Sequence, residues 1–132
     1  MKEKVKILIV DDDRDFVEST RTVLESKPYE VVVAYEGEEG LKKAKEENPD
    51  LILLDVIMPV KDGFSAAEQL KKDAQLSKIP IVMLTAFSSK RQGSSIPVSR
   101  GFTLDTEDYI EKPVTPEELL VIVERCLKRA AL

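Results

Sequence analysis

The chain has 132 residues, 42% of them hydrophobic and 34% charged, with a net charge of −5. That composition suits one globular domain, residues 1–132, and an acidic domain without a basic stripe is a poor binder of nucleic acid by itself. The single cysteine excludes an internal disulfide, and the absence of histidine excludes any chemistry that needs a histidine of this chain. No apolar run approaches the length of a membrane span, and the start MKEKVKILIV carries no signal-peptide pattern, so the expected location is cytoplasmic.

KILIV (6–10) is a continuous apolar run, as expected of a strand covered on both faces. Asp11, Asp12 and Asp13 follow it directly, and Asp15 lies just beyond. Like charges about 4 Å apart repel by roughly 4 kcal/mol at an effective dielectric near 20. The carboxylates must therefore face water or something that offsets them. Residues 14–26 place Phe16, Val17, Thr20, Val23 and Leu24 at helical spacing before Pro28. EVVVA (30–34) is the second strand, and 38–47 is a short helix burying mainly Leu41 and Ala44. LILL (51–54) is the third strand, running into Asp55. A helix over 64–73 shows Phe64, Ala67 and Leu70 on one face. IVML (81–84) runs into Thr85, and DYIE (108–111) precedes Lys112. The last helix, 115–132, opens with a capping box: Thr115 as N-cap, Pro116 at N1 and Glu118 at N3. In it, Cys126 shares a helical phase with Leu119, Ile122 and Val123, which reads as core rather than reactive thiol. Leu120 and Leu127 widen that face, while Val121 points away from it, a stray exposed valine or a partner surface.

Alternating strands and helices imply a parallel sheet covered on both faces. Right-handed crossovers then gather the strand C-termini on one edge, where such sheets bind ligands. Asp11 to Asp13, Asp55, Thr85 and Lys112 should meet there.

IVDD (9–12), LLDVIMPVKDG (53–63), IVMLTA (81–86) and YIEKP (109–113) together resemble the receiver domain of two-component response regulators. The resemblance covers residues 5–129. It implies a flavodoxin-like, doubly wound five-stranded sheet of order 2-1-3-4-5. It also implies a phospho-acceptor switch in a two-component system or phosphorelay. A phosphoryl group would pass from a phosphohistidine on a sensor histidine kinase or a histidine phosphotransfer protein to Asp55, changing a surface that docks a downstream partner. Such a protein catalyses its own phosphorylation, and usually its dephosphorylation, without being a classical turnover enzyme. The implied metal is Mg2+ (or Mn2+), held by Asp11, Asp12, Asp55 and the backbone carbonyl of Ile57, with Asp12 the more direct ligand of the acidic pair. Lys112 matches the lysine that pairs with a phosphate oxygen, and Thr85 the hydroxyl that hydrogen-bonds the phosphoryl group. Tyr109 matches the aromatic that turns inward on activation, and Pro113 follows a peptide bond that is commonly cis. Gly63 matches a turn glycine. Asp13 falls outside the acidic pair and reads as a helix cap or a solvated residue. Ile57 is apolar and branched, which would limit water access to the acylphosphate.

The chain departs from the family between Thr85 and Lys112, an interval longer than usual. Gly93, Pro97, Gly101 and five serines interrupt 87–107, and no apolar helical pattern holds there. The family's fourth helix is therefore expected to be missing, short or irregular. Because the chain ends soon after its last helix, the expectation is a stand-alone switch. The alternative is a phosphorylation-independent adaptor on the same fold. A haloacid-dehalogenase-type phosphatase fits less well, since Ile57 stands where that site needs an aspartate. A flavodoxin is weaker still, because DDDRD would repel an uncompensated phosphate.

Overall fold

In a computed structural model of the chain, residues 4–55, 63–85, 108–112 and 114–131 are described. The elements are β1 (Val5–Val10), α1 (Arg14–Glu25), β2 (Tyr29–Ala34), α2 (Gly37–Glu47), β3 (Leu51–Asp55), α3 (Gly63–Lys72), β4 (Ile81–Thr85), β5 (Asp108–Glu111) and a last helix (Pro116–Ala131). The strands form one five-stranded sheet in the order β2-β1-β3-β4-β5, and every pairing is parallel. This is the doubly wound order expected from the resemblance. The interval 87–107, with its expected loss of the family's fourth helix, lies outside the described residues.

Alternation along the strands builds two apolar layers. Leu8 and Val10, Ile52 and Leu54, and Ile81 and Met83 face α2 and α3, where Ala44, Ala66, Ala67 and Leu70 complete the packing. Ile7 and Ile9, Leu51 and Leu53, and Val82 and Leu84 face α1 and the last helix, meeting Val17, Leu24, Leu119, Val123 and Cys126. Cys126 is buried as expected, and Val121 is exposed at 61%.

Helix starts follow local chemistry. Asp13 is the N-cap of α1, its carboxylate accepting from Phe16 N at 3.2 Å. The capping box of the last helix forms as read: Glu118 N donates to Thr115 Oγ1 at 3.2 Å, and Thr115 N to Glu118 Oε1 at 3.4 Å. Helix α2 ends at Asn48, in the left-handed region with φ 48°, whose N–H donates to the Ala44 carbonyl at 2.9 Å. Two expectations change. The buried residues of α2 are Gly37, Gly40 and Ala44, while Leu41 is only partly buried against the core. The cause is a close helix–strand approach: a Cβ on Gly40 would lie 2.8 Å from Val10 Cγ2. Gly63 is the first residue of α3 rather than part of the turn before it.

Candidate functional site at the strand ends

Sheet register brings the acidic residues together. Val10 pairs with Leu54, so Asp11 and Asp55 emerge side by side from β1 and β3. Asp11 N extends the ladder by donating to the Ala34 carbonyl of β2 at 3.1 Å. Thr85, the last residue of β4, pairs with Glu111 of β5, and Lys112 is the next residue. Tyr109 pairs with Met83 one turn of the pleat below the rim.

Asp11 and Asp55 are buried, at 0% and 1% exposure, while Asp12 is exposed. One carboxylate oxygen from each lies within 4.8 Å of the others. Lys112 Nζ stands 2.6 Å from Asp11 Oδ2 and 3.7 Å from Asp55 Oδ1. The second oxygen of Asp11 accepts from Asp13 N at 2.9 Å. The opening charge problem thus has a first answer within the chain: an ammonium offsets part of the repulsion, and backbone N–H groups hold both Asp11 and Asp13. Among the described residues, one ammonium stands against three carboxylates, which leaves the cluster anionic.

Asp11, Asp12, Asp55 and Lys112 are therefore brought together as the sequence predicts. Thr85 and Tyr109 are placed by their backbones only. Ile57 and Pro113 lie outside the described residues. Sequence reading missed two contacts. Lys112 Nζ sits over the Phe16 ring, 4.3 Å from its centroid. The Arg14 guanidinium covers the Tyr35 ring at 4.0 Å. Phe16 reads as one more apolar residue of α1, and the only clue to its second role is its place in the first turn after the acidic pair.

The fold and rim define a doubly wound α/β protein with an acidic site at the carboxyl ends of its strands. Residues 7–124 match the family of the response regulator receiver domain, and the chain belongs to that family. Among similar proteins, the alkaline phosphatase synthesis transcriptional regulatory protein PhoP of Bacillus subtilis is 39% identical over 127 residues, 96% of this chain and 50% of PhoP. The chain spans about half the length of the curated relatives it matches. The CheY-like response regulator receiver domain protein from Methanospirillum hungatei superposes with a TM-score of 0.85 at 30% identity, covering 98% of both chains. The chemotaxis protein CheY4 of Vibrio cholerae gives 0.81 at 32% identity, covering 93% of this chain and 98% of that one. Among the described residues no helix is long and apolar enough to cross a membrane.

Proposed function

We propose that this receiver domain is a phospho-acceptor switch that takes a phosphoryl group on Asp55. The observation that carries the reading is a buried Asp55 whose Oδ1 lies 3.7 Å from the Lys112 ammonium, beside two further carboxylates. A carboxylate so placed is a nucleophile with a cation at hand for the charge on the transferring oxygens. In the step, an Asp55 oxygen forms a bond to phosphorus while the P–N bond of the donor phosphohistidine breaks. The bonding pair leaves with the imidazole nitrogen. The donor belongs to a partner kinase or phosphotransfer protein, since this chain has no histidine.

The donor set fits a hard divalent cation: carboxylates only, neither thiolate nor imidazole, with oxygens close enough to share one ion. Asp11, Asp12 and Asp55 would hold Mg2+ or Mn2+, joined by the Ile57 carbonyl in the family pattern. When bound, the ion would supply positive charge that lets a phosphate approach this anionic cluster. Asp11 orients Lys112 through the 2.6 Å contact, and Lys112 then accompanies the incoming phosphoryl oxygens. Thr85, whose backbone ends the neighbouring strand, would offer its hydroxyl to the phosphoryl group in the family pattern, and with Tyr109 it would pass the change to a docking surface. The protein acts on itself rather than turning over a substrate, in the cytoplasm where its kinase partner presents the phosphohistidine.

The test is intact-mass spectrometry after incubation with Mg2+ and acetyl phosphate. One added phosphoryl group is expected, absent from an Asp55→Asn variant and abolished by chelator. An unmodified parent that also gives no response to beryllofluoride would overturn the reading and leave a phosphorylation-independent adaptor in its place.

A further inference from the structure

The Lys112 side chain has a flexible four-carbon stem, yet it is only 11% exposed and its ammonium touches groups of two kinds. On one side is the Asp11 carboxylate at 2.6 Å, with Asp55 Oδ1 at 3.7 Å. On the other is the face of Phe16, 4.3 Å from ammonium to ring centroid. A phenyl face attracts a cation through its quadrupole and imposes no single direction on the N–H groups. A carboxylate does impose one. In phosphoryl transfer the ammonium has to leave its short contact with Asp11 and move toward oxygens gathered on Asp55. A partner that tolerates this swing while keeping water off the ammonium would hold the lysine through both states.

We propose that Phe16 is a positioning residue for Lys112, its ring holding the ammonium over the acidic site as it passes from Asp11 to the phosphoryl group on Asp55. The inference rests on the phospho-acceptor reading and adds a residue of α1 to it. Phe16 belongs to this role by sequence as well as by geometry. Asp13 caps α1 through the Phe16 N–H at 3.2 Å, and the same Asp13 donates its own N–H to Asp11 at 2.9 Å. The acidic loop therefore fixes the backbone from which the ring projects. If Phe16, itself partly buried, only filled space against the buried layer it packs on, leucine would serve as well.

The experiment compares Phe16→Leu and Phe16→Tyr with the parent in two readouts. The first is the rate of labelling by acetyl phosphate with Mg2+, followed by intact mass. The second is the NMR shift of the Lys112 Hε/Cε group, which a ring face displaces upfield, assigned with a Lys112→Arg variant. The leucine variant should label roughly five-fold more slowly and lose the ring shift, while tyrosine keeps both near parental values. Should leucine fail to fold, Phe16→Met takes its place. Labelling as fast as the parent in the leucine variant overturns the proposal, whatever the shift does. So does slower labelling with the Lys112 signal unmoved, because the loss then comes through packing. A parent that takes no phosphoryl group overturns the phospho-acceptor reading and this inference together, and is distinguished by that control alone.

Discussion

At the level of single residues, the rim is held by a balance of charge that two substitutions should tip in opposite directions. Removing Lys112 as Lys112→Met strands Asp11, a fully buried carboxylate, without the ammonium 2.6 Å away. Breaking a buried pair from one side costs about 3 kcal/mol or more, and urea unfolding without divalent cations should show that loss. Added Mg2+ should return part of it by supplying charge of the same sign. Asp55→Asn should act the other way. It removes one of three mutually close carboxylates, so the metal-free variant should be more stable than the parent by roughly 1 kcal/mol, the scale of partly screened repulsion. Mg2+ should then raise the parent's unfolding midpoint more than the variant's. A parent and variant that respond equally to Mg2+ would remove Asp55 from the cation site. The four residues of this balance were legible from sequence, since each ends a strand or follows one, and the parallel topology collects strand ends. The Phe16 contact was not, because an apolar pattern records which face of a helix is buried and not what the ring edge or face meets.

Elements carry a second kind of information, partly local and partly not. The capping box at Thr115 and Glu118 depends only on spacing within one turn, and it was readable and is present. Thr115→Ala should lower stability by about 1 kcal/mol, seen as a shift in urea midpoint with unchanged slope. The inner face of α2 was misread because its packing depends on a partner strand. Leu41 is the large apolar residue there, but Gly37, Gly40 and Ala44 are what let the helix lie against β1. Gly40 is the tightest point. A Cβ there would stand 2.8 and 2.9 Å from the two methyls of Val10, the residue just before Asp11. Gly40→Ala gains up to about 1 kcal/mol of helix propensity yet has to displace a branched side chain in a packed layer, at about 1–3 kcal/mol. The expected net result is destabilisation in urea, relieved by a second change, Val10→Ala, in a double-mutant cycle. Additive losses in that cycle would show that the Gly40–Val10 contact is not the cause.

For the molecule as a whole, the parallel sheet and both apolar layers follow from a regular strand–helix alternation whose central strands are apolar on both faces, while the strand order was legible only through the family resemblance. Such strands have one stable use, the centre of a covered sheet. The opposite rim, by contrast, was invisible in the sequence. There Lys6 Nζ meets Glu47 Oε1 at 3.0 Å and Glu30 Oε2 at 4.0 Å, while Lys6 N donates to Asp50 Oδ2 at 2.8 Å. The side-chain contacts join residues distant in sequence, which periodicity cannot pair.

That rim and its neighbour Tyr29 give the fold a pH dependence of definite sign. The hydrogen bond from Lys6 to Glu47 is the main cause that raises the lysine above its ordinary 10.5, with burial opposing and the nearby carboxylates adding to it. Burial raises Tyr29 above its ordinary 10.0, helped by the negative charge of Glu124. Both groups hold their proton more tightly folded than unfolded, so above those ordinary values the unfolded chain loses protons that the folded one keeps. Their contribution to stability is then whole below about pH 10 and disappears as pH rises through the folded values. The expected outcome is a urea midpoint that falls between pH 9 and pH 11.5. A Tyr29→Phe variant has no proton to lose at that position, so its midpoint should fall less over the same range. Lys6→Met should likewise fall less, from a lower starting point, because it also gives up the ion pair with Glu47. The two effects should add, since Tyr29 is raised by burial and by Glu124 of the last helix, and Lys6 by Glu47 of α2. A double variant whose midpoint falls as steeply as the parent's would place the alkaline transition elsewhere in the molecule.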